Sequence, residues 1–574
     1  MIIDPSDSHT MPNRIFNPIF FLINSILLLC LLTACDNSHQ SPSSTPANQT
    51  AAAPRLIQLI LTYDSAKQDW LKEVTAQFNS THYKISDAQI IQVNAIPMSS
   101  AQIIDDVLSE THQVHLISPA SSAIINIGNA KSQTQMGTNL VGYTQNLVLS
   151  PIVIALWKPL AEALGWDKQR IGWADMAALA KNPLPLAAHH SAQWGHFKLG
   201  HPHPEYSHSG LLSVLAQVYA GADKLSHLTV DDIKPPEIAT YLHDVQQTIA
   251  YYGHSSHFFD AELKNKGPDN LSAAVLYEHQ VIQSYQDANT PFPLVAIYPI
   301  EGTFWSEHPI GIVKRDWVTP AHYEAAQIYI DYLLDKPQQE KALEYGFRPA
   351  NVSVPLASPI DAAHGVNPLA PFATLEMPGV PVIEAIIKLW HQNKKPASIV
   401  LVLDKSGGMR GDKIRHARNS ALQLLDLLKE ADELSLLSFN HRLNWITENV
   451  PVGLQRHRLR QQIKYQFAGG GTALYDAIEA AYRFLLNDAY PDKIPIIIVL
   501  SDGRDKHSQL NLKGLLDKIS YDSEQHPIRI FTIGYGSEIE NKPLSEIAKI
   551  TRGLFYDGNT ADTRKMFKEI TAFF

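Results

Sequence analysis

The chain has 574 residues, 45% of them hydrophobic and 18% charged, with a formal net charge of −10. That length argues for several domains at about 100–200 residues each, and the apolar share excludes a mainly disordered chain. The acidic balance excludes nucleic acid as the main partner, because phosphate recognition needs a basic surface. The two cysteines, Cys30 and Cys35, leave no disulfide framework or cysteine-ligated metal for anything downstream.

Residues Ile15 to Ala34 form a mostly apolar run behind Arg14, densest over Ile26 to Leu32. A bilayer span needs roughly 20 apolar residues, so a short interrupted run with small residues at its end predicts a secretory signal. Translation from Met1 or from Met11 fits this reading equally, and an uncleaved N-terminal anchor is its alternative. The end, Leu32-Thr33-Ala34-Cys35, resembles a bacterial lipobox. The resemblance implies an acylated Cys35 as the mature N-terminus and a lipid anchor in the cell membrane. The body would then face the periplasm or the exterior. Residues 36–54 are rich in Ser, Pro, Ala, Asn and Gln and lack apolar periodicity, which predicts a flexible tether.

From residue 55 to 356, short β-like runs alternate with amphipathic helices. Leu56 to Leu61 predicts a buried strand, and Trp70, Val74 and Phe78 mark one face of a helix over Asp69 to Phe78. Further strands are expected at Val114–Ile117, Asn146–Val153 and Leu294–Tyr298. Helices are expected at Lys158–Leu164, Gly210–Ala220, Pro236–Tyr251 and Ala321–Asp335. The alternation predicts an α/β fold, in which solutes sit at the carboxyl ends of the strands. The polar loops there, with Ser65, Ser121, Ser122 and Ser209, are the candidate solute contacts. Each of them is also an ordinary cap or turn.

Several blocks carry a family likeness: Ser118–Ala123, Ser150–Trp166, Phe197–Pro204, Tyr298–Trp305 and Gly346–Ala350. Together they resemble bacterial extracellular solute-binding domains of the periplasmic-binding-protein type, in the group fused to a von Willebrand factor type A domain. The resemblance implies two α/β lobes with a cleft for a small solute, and it adds Tyr298 and Glu301 as candidate contacts. It does not identify the solute. Of 25 histidines, His189, His190, His196, His201, His203 and His208 crowd one stretch. His201-x-His203 has a spacing compatible with a shared metal. The plainer expectation is a solvated, proline-stiffened loop, with a structural role for His201 because it lies in a family block.

Residues 357–395 predict a connector, proline-punctuated over Pro368–Pro381 and ending in a helix at Val382–Asn393. Residues 396–574 predict a doubly wound parallel sheet. Its strands are expected at Ser398–Leu403, Glu433–Phe439, Ile494–Leu500, Pro527–Tyr535 and Gly553–Tyr556. Helices over Asp412–Ala431 and Ala473–Leu486 lie between them. Asp404 and Asp502 follow two buried strands, and Ser406 and Thr472 lie on loops at the same edge. Oxygen donors of this kind suit a hard divalent cation, Mg²⁺ above all. The set resembles the metal-ion-dependent adhesion site of von Willebrand type A domains, whose first motif is Asp-x-Ser-x-Ser. Here Gly408 replaces the second serine, which removes one direct ligand; either a water takes its place or the metal binds weakly or not at all. The resemblance implies that the metal completes its shell with an acidic side chain of a partner protein.

No nucleotide-binding Gly-x-x-x-x-Gly-Lys loop, Gly-x-Ser-x-Gly elbow or His-Glu-x-x-His helix occurs, so no catalytic residues are assigned and a non-enzymatic binding protein is expected. It would be a membrane-anchored protein that captures a solute in an interlobe cleft and binds a protein through the type A domain. The alternatives are a receptor subunit of an ABC-type importer, and an adhesion or assembly factor with a vestigial solute site.

Overall fold

The computed structural model describes residues 55–86, 89–166, 168–181, 197–288, 290–487, 492–520, 528–536, 538–559 and 563–574. The signal, Cys35, the tether, His189, His190 and His196 lie outside the described residues. In chain order the strands of the first region are β1 (Arg55–Asp64), β2 (Lys84–Ser86), β3 (Gln89–Met98), β4 (Leu116–Ser118), β5 (Val141–Asn146), β6 (Val148–Trp157), β7 (Leu199–Pro202), β8 (Ile249–Gly253), β9 (Ala273–Tyr277), β10 (Leu294–Ile297), β11 (Trp305–Ser306), β12 (Pro309–Val313) and β13 (Arg348–Pro349). They make two sheets, each the floor of a lobe. The first runs β2-β3-β1-β4-β12-β5 and the second β10-β6-β9-β7-β8, with β11 and β13 against β6.

In the first lobe, Trp70, Val74 and Phe78 are buried on one face of the helix Gln68–Thr81. There Phe78 meets Tyr329 and Tyr332 edge-on, with ring centroids 4.9 and 5.1 Å away. In the second lobe, β6 is buried along almost its whole length, as a strand covered on both faces should be.

The chain passes between the lobes at Leu147, at Glu307–His308 and ahead of β13. The Leu147 N–H donates to the His308 carbonyl at 3.3 Å, so the first two crossings run side by side. One strand was expected over Asn146–Val153, but the chain changes sheets at Leu147 and makes two. Apolar residues continue on both sides of that point, so nothing in the composition marks it. The helix expected over Pro236–Tyr251 stops at Gln246. Ile249, Tyr251 and Tyr252 instead bury themselves in β8, parallel to β7. Branched and aromatic residues of this kind fit a sheet better than a helix.

The second region adds β14 (Ala397–Asp404), β15 (Glu433–Phe439), β16 (Leu443–Pro451), β17 (Ile494–Ser501), β18 (Arg529–Gly534) and β19 (Phe555–Asp557). Their order is β16-β15-β14-β17-β18-β19, and every pair is parallel except β15 with β16. The expected parallel sheet therefore carries an antiparallel edge. The sequence hid that strand because Asn444, Thr447, Glu448 and Asn449 give it the polarity of a loop. Successive residues of β14 face opposite sides, as the two-residue period of a strand requires. Val400 and Val402 enter one core, and Ile399 and Leu401 enter another.

That second core continues into the neighbouring lobe through Trp390, Tyr252 and Phe573. Trp390 Nε1 donates to Gln246 Oε1 at 2.9 Å, and the Tyr252 N–H donates to the Phe573 carbonyl at 3.2 Å. The Arg529 guanidinium lies 3.8 Å from the Tyr251 ring centroid and 3.4 Å from Glu262. Residues 53–574 thus form one compact unit. Each fully buried large side chain contributes about 1.5–3 kcal/mol to such packing.

Candidate functional site

Between the lobes, the loops that follow β1 and β4 meet the first turn of the helix His208–Gly221. The Asp64 carboxylate shapes the first loop, accepting from Ala66 N at 3.1 Å and Ser100 Oγ at 2.5 Å. It thereby fixes the turn Ser65–Lys67. Lys67 is fully buried, and its ammonium donates to the carbonyls of Ser118 at 3.0 Å and Pro119 at 3.3 Å. It also lies 3.1 Å from His308 Nδ1. Burial pushes its amine down to about 7, partly opposed by the Asp64 charge.

The candidate serines lie on the loops and helix starts of this region, each bonded to its own partner. Ser121 caps the helix Ser122–Met136 by accepting from Ala123 N at 3.1 Å. Ser122 Oγ lies 3.4 Å from Glu307 on the crossing segment between β11 and β12. Ser209 is buried and shares a hydrogen bond of 2.9 Å with Ser207. His208 is buried with neither ring nitrogen partnered, and His279 Nε2 and Ser118 Oγ are also unpartnered among the described residues. Burial holds His208 and His279 down to about 3, and the Lys67 charge lowers both further. The centre is thus a buried polar cluster of neutral imidazoles and hydroxyls around one amine. Lys67, His208, His279 and His308 were not among the residues singled out as solute contacts. A lysine just beyond a loop and scattered histidines look solvent-facing until the topology is known.

Tyr298 and Glu301 lie elsewhere. The Tyr298 hydroxyl donates to Glu278 and accepts from Asn367 N at 3.3 Å. Its other side faces a separate cavity of about 530 Å³ shared with Arg170 and Phe372. Glu301 accepts from Trp173 N at 3.2 Å and Ala174 N at 3.4 Å at the start of the helix Trp173–Lys181. Carboxylates are favoured there because the first backbone N–H groups of a helix lack partners. His201 and His203 are not on a solvated loop, and each is buried. The His201 ring nitrogens lie 2.7 Å from the Pro202 carbonyl and 2.9 Å from Ser213 Oγ. The His203 ring packs on Trp390, with centroids 4.9 Å apart. Among the described residues no three His, Cys, Asp or Glu side chains form a metal cluster.

At the carboxyl edge of β14 and β17, Asp404, Ser406 and Asp502 are fully buried and Thr472 nearly so. The loop after β14 is laced to the loop ahead of the helix Leu474–Asn487. Gly407 N donates to Gly470 O at 2.9 Å, and Gly469 N donates to Lys405 O at 2.7 Å. Asp404 accepts from Ser501 Oγ at 2.6 Å and from Ser406 N at 2.7 Å. Burial pushes the Asp404 carboxyl up to about 6; these hydrogen bonds oppose the rise and the Asp502 charge adds to it. Lys413, at the start of the helix Asp412–Leu427, donates to Asp502 Oδ2 at 3.1 Å. A Cβ added to Gly408 would lie 2.6 Å from that same oxygen. Thr472 N donates to His507 Nδ1 at 3.2 Å.

Ser406 Oγ is buried without a partner among the described residues. A buried hydroxyl in that state costs stability, and a coordinated cation would satisfy it. Two carboxylates and two hydroxyls at one edge are a donor set that fits a hard divalent ion.

A family model described as bacterial extracellular solute-binding protein matches residues 59–348, and one described as von Willebrand factor type A domain matches residues 398–569. An uncharacterized protein of Synechocystis sp. is 28% identical over 183 residues, covering 31% of this chain and 42% of that protein. Inter-alpha-trypsin inhibitor heavy chain H2 of Mus musculus is 29% identical over 167 residues, 28% of this chain and 17% of that protein. The chain therefore spans less than half the length of these curated relatives. Among solved structures, the periplasmic binding protein AfuA from Actinobacillus pleuropneumoniae shares 13% identity over 59% of this chain and 99% of that chain, with a TM-score of 0.40. A von Willebrand factor type A structure from Catenulispora acidiphila shares 21% identity over 31% of this chain and 42% of that chain, with a TM-score of 0.26.

Proposed function

The chain belongs to the bacterial extracellular solute-binding protein family and carries a von Willebrand factor type A domain, and on that premise we propose that it is a non-catalytic, lipid-anchored extracytoplasmic binding protein. Its cleft captures a small solute and its type A domain binds a partner protein. The observation that carries the first half is the buried polar centre at Lys67, with unpartnered donors on His208, His279 and Ser118 between two lobes. Buried polar groups are rarely left unpaired, so a polar guest there would relieve a cost. In the second half, Asp404, Ser406, Thr472 and Asp502 would hold a divalent cation. When bound, that cation would offer a Lewis-acidic position to an acidic side chain of the partner. The chain's own residues fix those donors by the lacing of the two loops. Cys35 would hold the protein at the membrane through lipid, and no helix among the described residues is long and apolar enough to cross one.

One observation favours a second reading, an adhesion or assembly factor with a vestigial solute site. Lys67 places its ammonium against three acceptors of the chain itself, the bonding a captured amine would otherwise make. Native mass spectrometry of the purified full chain separates the two readings. Solute capture predicts a stoichiometric small-molecule adduct that is lost on denaturation. Bare protein from every growth medium tested would refute capture and favour the second reading.

A further inference from the structure

The cation edge of the type A domain contains a positive group of its own. Asp502 is fully buried at the end of β17, where an ionised carboxylate without a counter-charge is strongly disfavoured. Lys413 supplies the nearer charge through its bond of 3.1 Å to Oδ2, and the more exposed Arg504 stands 3.9 Å from the same oxygen. The Lys413 side chain is 29% exposed, so it reaches Asp502 from the solvent side and has an open path back to water. Gly408 lies against the same oxygen, where an added Cβ would come within 2.6 Å of it. Glycine thus permits the close approach of Asp502 and removes the hydroxyl that would have competed for the same space.

The ammonium balances charge but leaves the edge incomplete. Both Asp404 oxygens already accept bonds from the chain, from Ser501 Oγ and Ser406 N. Ser406 Oγ accepts none among the described residues and is out of reach of water. A divalent ion would satisfy Ser406 and Asp502 together, yet it cannot share Asp502 at close range with an ammonium, because like charges repel strongly in a poorly screened site. We propose that Lys413 is a built-in competitor for the cation: ammonium and metal alternate as the counter-charge of Asp502, and Lys413 sets the metal affinity. The proposal rests on the reading of this edge as a cation site. It gives the substitution at Gly408 a role, since the lost ligand and the inserted ammonium both weaken binding.

The test is calorimetric titration of Mn²⁺ into the full chain, stripped with EDTA and desalted, for wild type, Lys413→Met, Lys413→Arg and Asp502→Ala. Lys413→Met should bind about tenfold more tightly, the scale of coupling between neighbouring charges. Lys413→Arg should stay near wild type, and Asp502→Ala should lose binding. A second readout needs no metal: in EDTA, Lys413→Met should melt below wild type and recover on adding Mn²⁺, because Asp502 then keeps only the more distant and half-exposed Arg504, 3.9 Å away, as its counter-charge. Equal or weaker Mn²⁺ binding by Lys413→Met, with wild type still binding, overturns the competition and leaves the cation reading standing. No binding by wild type or by Lys413→Met overturns both.

Discussion

Replacing Lys67 with methionine removes a buried amine while keeping its length, and the effect should depend on pH with a defined sign. In the unfolded chain a lysine holds its proton up to 10.5, whereas burial brings Lys67 down to about 7 in the fold. Between those values the unfolded state binds more protons than the folded one, so stability rises with pH across that window. At about 1.4 kcal/mol per pH unit, wild type should gain about 3 kcal/mol on the variant from pH 7 to 9.5. Below pH 7 the amine is protonated in both states and the difference is constant. The groups facing Lys67 leave the result clean: His208, His279 and His308 are held below 6.5, and Tyr277 is held well above 10. The carbonyls of Ser118 and Pro119 left without a donor shift the variant's curve by a fixed amount at every pH.

Scanning calorimetry of both proteins at pH 6, 7, 8.3 and 9.5 measures the gap in melting temperature. A difference of about 3 kcal/mol moves the melt of a unit this large by about 3–5 °C, at about 2.1 cal/mol/K of unfolding entropy per residue. Parallel melting curves across the series would refute the placement of Lys67 as a buried, displaced amine.

Other perturbations follow from single contacts. Arg348→Met strands the fully buried Glu278, which accepts from Arg348 at 2.8 and 2.7 Å. It should cost about 3–5 kcal/mol in urea or thermal unfolding, and Glu278→Met in the same chain should restore part of the loss. Gly210→Ala puts a methyl 2.1 Å from the Pro202 carbonyl and should cost about 1–3 kcal/mol as overpacking. Gly469→Ala meets nothing within 4 Å and should melt with wild type. Cys35→Ala should abolish palmitate labelling and release the protein from the membrane fraction; retained label would reject the lipid anchor.

The sequence made the second region easier to read than the first. Ser398–Leu403 and Ile494–Leu500 are unbroken branched runs, and each is a strand buried on both faces, so pattern and burial agree. Asp404 and Asp502 are visible because they stand where such runs stop. Lys413 and Ser501 are not visible that way, since a lysine opening a helix usually faces water. In the first region, Tyr251 was assigned to a helix because its neighbourhood is apolar at either spacing, and only its place beside β7 decides for a strand. Tyr298 and Glu301 show the reverse limit. They lie in a family block but away from the Lys67 centre, Tyr298 bonded to Glu278 at the edge of a separate cavity and Glu301 capping the helix at Trp173. Lys67 was missed because its acceptors, Ser118, Pro119 and His308, are brought to it only by the sheet order β1-β4-β12.

The core shared through Trp390, Tyr252 and Phe573 fixes which parts of this molecule can move separately. The second lobe and the type A domain share that core, and the first lobe is joined to them by crossings at Leu147, Glu307–His308 and the segment before β13. A rotation about those crossings would leave the Asp502 edge stationary relative to one lobe and swing the other past it like an arm on a pivot. Such a rotation would change the distance from the first lobe to the type A edge without any rearrangement of the type A sheet itself.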